Sequence, residues 1–133
     1  MRLNLPVLAS LLATLALAPS LAAAKSYTDN DAQVTQDCAS DPEASVDGNN
    51  ITLTLVGACS TISVNGNNIT VRAESIKALA VMGNDNKAYV VAAGSVSVMG
   101  NGNTVRYGKG LGKAKKPKVR NLGSKNSVKK GKE

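Results

Sequence analysis

The chain has 133 residues and a formal net charge of +7, and it contains no His, Phe or Trp. The lack of histidine excludes a Ser-His-Asp or Cys-His mechanism and a histidine-bearing zinc site. Three tyrosines (Tyr27, Tyr89 and Tyr107) are too few for an aromatic nucleic-acid platform, so any core is built from Val, Ile, Leu and Ala.

Residues 1–24 read as a secretory signal peptide. Arg2 supplies a short basic head, residues 5–17 are apolar apart from Ser10 and Thr14, Pro19 breaks the run, and Ala22-Ala23-Ala24 offers small residues at a cleavage site. The run is shorter than the roughly 20 residues that span a bilayer. No cysteine stands at the cleavage site to take a lipid. The mature chain is expected to begin near Lys25, to be secreted or periplasmic, and to form one domain.

Residues 25–43 form an acidic segment or a degenerate first coil. Residues 25–47 hold one lysine and six acids. Asp29-Asn30-Asp31-Ala32-Gln33-Val34 aligns with the repeat that follows when Asp31 is set on Asn50 and Val34 on Leu53. Cys38 then falls within two positions of the equivalent of Cys59. An even cysteine count in an exported chain favours a disulfide between Cys38 and Cys59, with inert thiols or a link between chains as alternatives.

Residues 44–108 are an internal repeat. Four segments read apolar-x-Val-x-Gly-Asn, with Val46, Val64, Val81 and Val98 at the third position and Gly48, Gly66, Gly83 and Gly100 at the fifth. A further asparagine follows in each: Asn50, Asn68, Asn86 and Asn103. A second alternating run comes next, beginning near Ile51, Ile69, Ala88 and Thr104. Alternation of apolar and polar residues marks strands, and Gly-Asn pairs mark turns. Two architectures fit: a β-solenoid with one coil per repeat, or consecutive hairpins of a meander or sandwich. Identity at the same position of every unit is needed only where like stacks on like, which favours the solenoid. The expected fold is therefore all-β: a short solenoid of about four to five coils with a period of 17–18 residues. The matching valines should stack inside about 4.8 Å apart, and the matching asparagines should form a ladder at the corner.

Residues 109–133 hold ten basic residues and one acid. The segment is mostly Lys, Gly, Ser and Asn, and is expected to be a disordered Lys-rich tail. Its cations, among them Lys113, Lys115, Lys116, Lys118, Arg120, Lys129, Lys130 and Lys132, are the candidate anion-binding residues. Two readings fit: a solubilising tail with no partner, or one that associates outside the cytoplasm with anionic glycans, lipid head groups or nucleic acid by salt-dependent attraction.

The order Cys38, residues 46–52, Cys59, residues 64–71, 81–88 and 98–105 resembles the bacterial exported family called domain of unknown function 3060. The resemblance covers about residues 30–108 and leaves out the tail. It implies export and the repeat fold, and brings no activity.

Other site-like patterns have plainer readings. Gly83-Asn84-Asp85-Asn86 is only superficially like a calcium repeat, because those repeats have a nine-residue period and regular Asp ligands. Asn50-Ile51-Thr52 and Asn68-Ile69-Thr70 match the glycosylation pattern, but the repeat already accounts for both. A flat Thr array beginning at Thr52 and Thr54 fails, since the corresponding positions are Thr70, Arg72, Tyr89 and Arg106. No cofactor or metal is expected. The functional expectation is a non-enzymatic structural or interaction module; the alternative is a small polysaccharide-active hydrolase or lyase on a β-helix scaffold.

Overall fold

The computed structural model describes residues 23–133; the expected signal peptide lies, apart from its last two residues, outside them. Nine strands follow in chain order: β1 (Lys25–Tyr27), β2 (Gln33–Asp37), β3 (Ala44–Asn49), β4 (Thr52–Asn67), β5 (Thr70–Asn84), β6 (Lys87–Asn101), β7 (Thr104–Gly110), β8 (Lys118–Ser124) and β9 (Ser127–Lys130). Every pairing between them is parallel. The long strands bend midway, so each supplies the second face of one coil and the first face of the next. The result is a β-solenoid.

Its interior is a set of side-chain columns, because alternation sends every second residue inward; two of them show the register from the first coil to the last, where the terminal Asn121 is exposed. On the first face Tyr27, Val46, Val64, Val81, Val98 and Asn121 lie in one register. On the second face the column is Val34, Leu53, Val71, Ala88, Val105 and Val128. Val46, Val64, Val81 and Val98 are at most 1% exposed, and each such burial contributes roughly 1.5–3 kcal/mol. The repeat therefore means superposition of like residues.

The glycines stack as well. Gly48, Gly66, Gly83, Gly100 and Gly123 share one register. The 18-residue first interval exceeds the later 17 because of a bulge: Leu55 faces Ala73 and Ala58 faces Ser75, leaving one extra residue at Val56-Gly57. Gly57 takes φ +84° there, and its N–H donates to Glu74 Oε2 at 3.0 Å.

Residues 25–43 form the first coil, with Val34 opposite Leu53. Cys38 and Cys59 are bonded, with Cα atoms 5.0 Å apart, which is about one coil spacing. The side chain of Gln36 plugs this end of the column. It accepts from the Tyr27 hydroxyl at 2.8 Å and donates to the Glu43 carbonyl at 3.1 Å. Closing this loop stabilises by roughly 3 kcal/mol on the chain-entropy model. Reduction is expected to lower the melting temperature by about 10 °C or more; an unchanged thermal melt in reductant would remove that role.

Two expectations need correction. First, residues 109–133 do not stay disordered: they form another coil. Strand β8 pairs along its length with β6, setting Gly123 on Gly100, and β9 pairs with β7, setting Val128 on Val105. An exposed strand edge supplies hydrogen-bonding partners whatever the added side chains are, so this coil is ordered without a large apolar core of its own. Second, Asn50, Asn68, Asn86 and Asn103 are not one ladder. Asn50 and Asn68 are corner residues at φ 57° and 54°, a position that Asp31, Asp85, Gly102 and Lys125 also occupy at positive φ. Asn86 and Asn103 come one residue later, in the place of Ile51 and Ile69, and are buried. The left-handed corner residue turns outward and the residue after it turns inward, so a one-residue offset moves an amide from solvent to core.

There are thus two kinds of asparagine stack. The outer one runs from Asn68 Nδ2 to Asn50 Oδ1 (2.7 Å) and from Asn50 Nδ2 to Asp31 Oδ1 (2.9 Å), with a neighbouring rank through Asn84, Asn67 and Asn49. The inner one serves the backbone. Asn86 Oδ1 accepts from Ile69 N, Asn103 Oδ1 from Asn86 N and Asn126 Oδ1 from Asn103 N, at 2.9–3.0 Å.

Candidate anion-binding surface

The outward positions of the second face make a column of cations around one aromatic ring. Thr54, Arg72, Tyr89, Arg106 and Lys129 share a register, one coil apart. Arg72 Cζ lies 5.8 Å from the Tyr89 ring centroid, within cation–π range. The same alternation that buries Val71, Ala88 and Val105 points these neighbours outward.

Beside the column is a groove of about 440 Å³, a size that holds a small ligand. Arg72, Tyr89 and Arg106 line it together with Gly131, Lys132 and Glu133, the last of which lies against Arg72. Its apolar part comes from the bends after each second-face run, where Val56 and Val91 are exposed. Glu133 already binds there: Arg72 Nε donates to Glu133 Oε2 at 2.8 Å, and Arg72 Nη2 bonds to Oε1. That hydrogen bond raises the pKa of the Arg72 guanidinium and lowers that of the Glu133 carboxyl, with burial opposing both.

Chemically, the surface suits a ring with an apolar face and an anionic substituent. Both carboxylates of the groove are engaged: Glu74 accepts from the Gly57 bulge and Glu133 from Arg72. Asp85 stands at the left-handed corner just after β5, whereas Glu74 lies within that strand. Among the described residues, no group of three Asp, Glu or Cys side chains comes together to hold a metal ion.

The sequence-predicted cations lie at the basic end of the column. Lys113, Lys115 and Lys116 are in the loop of residues 111–117 that links β7 to β8; Lys118 and Arg120 are on β8; Lys129 and Lys130 are on β9; Lys132 follows it. All eight are exposed. Lys129 is the one that continues the Arg72–Tyr89–Arg106 column. That column was legible from the aligned repeats; the groove was not, because residues 131–133 complete it from outside the repeat.

Residues 46–94 and 76–125 each match the family model described as Protein of unknown function (DUF3060), so together the matches span more than half of the chain. The chain belongs to this family. The second DUF3060 match runs through β8 to Lys125, so the family pattern includes part of the coil that composition assigns to a tail. No curated protein and no solved structure matches the chain.

Proposed function

We propose that this protein is an exported, non-enzymatic interaction module that binds anionic polymers through its basic last coil and the adjoining Arg72–Tyr89–Arg106–Lys129 column. The stacked column carries the reading: it sets cations at coil spacing along one face, around an aromatic ring and next to an apolar groove. A regular polyanion meets such an array with less loss of freedom than a flexible tail would impose. A carboxylated or sulfated glycan fits better than nucleic acid, because the ring face of one tyrosine and the groove suit a single sugar, whereas nucleic-acid binding draws on successive stacking platforms. Export is supported by the pattern of residues 1–24, and the Cys38–Cys59 bond fits an oxidising compartment.

Deleting residues 109–133 is a poor test, because it removes a coil as well as charge. Exchanging Lys118, Arg120, Lys129 and Lys132 for Gln keeps the backbone ladder. These four changes together are expected to weaken binding to an anionic polysaccharide or heparin-like resin at low salt by about tenfold or more. Retention equal to the parent protein would refute the reading, and stronger retention on anionic vesicles or single-stranded DNA than on glycan would redirect it. The groove is also the one feature that favours the alternative, a small hydrolase or lyase. Release of new reducing ends or unsaturated products from an anionic polysaccharide is the measurement that would carry it.

A further inference from the structure

The two ends of the column are opposite in charge, and among the described residues both are open. At one end β1 and β2, and at the other β8 and β9, each pair on one side only among the described strands, which leaves a row of N–H and C=O groups with no described partner. Residues 23–43 carry five acids against Lys25, while residues 111–133 carry nine cations against Glu133. The last coil also exposes apolar surface that an inner coil covers: Val119 is 46% exposed, while Val96, at the same register, is 1%. Five coil steps of about 4.8 Å hold the ends roughly 24 Å apart, so a single molecule cannot join them.

A second copy can. We propose that the acidic first coil of one molecule stacks on the basic last coil of the next, in parallel register, so that the protein self-associates head to tail. Continuing each column by one step sets Val34 of the added copy over Val128 and Tyr27 over Asn121. At the left-handed corner the same step sets Asp31 over Lys125, both at φ near +57°. Within one chain this corner already carries the amide ladder Asp31–Asn50–Asn68; between chains it becomes an ion pair. Such a contact joins two different surfaces and does not close on itself, so it builds linear chains rather than a dimer. It differs from glycan binding in the surface used: stacking takes the open strand edge and the Lys125 corner of the last coil, whereas the glycan is held by side chains on its flanks, such as Lys118 and Lys129.

Sedimentation velocity on the disulfide-bonded protein tests this. At low salt the mean mass should rise with concentration past that of a dimer, and at about 0.5 M salt it should fall to one chain, where screening is nearly complete. Asp31→Lys and Lys125→Asp should each weaken association about tenfold, and an equal mixture of the two variants, or both changes in one chain, should restore it. Both positions are exposed corners, and each incoming residue type already holds this conformation at the other end; Asp31→Lys gives up only the exposed bond from Asn50 Nδ2, so a cooperative melt close to the parent's serves as the folding control. A mass fixed at one chain at every concentration would overturn the proposal. So would a plateau at a dimer, association indifferent to the charge swaps, or oligomers that vanish on nuclease or polysaccharide-lyase treatment.

Discussion

Gly83→Ala is expected to disrupt the middle of the solenoid. A β-carbon at Gly83 would lie 1.8 Å from the carbonyl oxygen of Gly66, in a residue held at φ +118°. The obstacle is backbone of the coil below, itself fixed by pairing on both sides, so neither partner can move without breaking the ladder. Gly66, Gly100 and Gly123 meet the same obstacle at 1.9–2.1 Å. Strain of this kind belongs with the rare substitutions that cost more than about 4 kcal/mol, against a total stability of roughly 5–15 kcal/mol. The variant should lose its cooperative melt or unfold at least 15 °C below the parent. Gly112→Ala is the control. Gly112 is also at positive φ, but nothing lies within 4 Å of its added β-carbon, so its cost should be about 1–2 kcal/mol. Similar melts for the two variants would show that the glycine stack is not close-packed.

Asn103→Leu should have the next largest effect. Asn103 is fully buried, and its amide joins three coils. Its Oδ1 accepts from Asn86 N at 3.0 Å, and its Nδ2 donates to Gly83 O at 2.9 Å and Asn126 Oδ1 at 3.1 Å. Leucine fills the space but leaves a buried N–H and a buried carbonyl unpaired, at about 1–3 kcal/mol each. The expected loss is about 3–5 kcal/mol in chemical denaturation, with amide hydrogen exchange accelerated first at Asn86. Isoleucine stands at this register position in Ile51 and Ile69, so a propensity argument alone expects little change. A loss under about 1 kcal/mol would show that the inner amides are replaceable by packing.

Much of the fold was readable because stacking imposes like residues at fixed intervals. The inward valines, the glycine register, the offset joining Val34 to Leu53 and the proximity of Cys38 to Cys59 all follow from that one constraint. The last coil was hidden for two reasons. Its glycine, Gly123, follows Gly100 by 23 residues rather than 17, because residues 111–117 loop out; and Asn121 replaces the inward valine. A search tolerant of an insertion would have found Leu122-Gly123-Ser124-Lys125-Asn126-Ser127-Val128 as the counterpart of residues 99–105. The asparagine positions were misaligned because Asn-Asn, Asp-Asn and Gly-Asn doublets look alike in sequence, while the corner conformation separates their two members.

By itself the sequence determined which valines and glycines are equivalent and favoured a column over a meander of hairpins, since a repeat records the contacts between neighbouring coils; the parallel pairing of every strand decided between the two. Only the tertiary structure decided that the basic segment joins that column, that Asn86 and Asn103 face inward, and that Glu133 reaches Arg72 beside Tyr89. Those outcomes depend on the free hydrogen-bonding edge of the preceding coil and on the direction of a side chain after a left-handed corner, neither of which residue identity alone specifies.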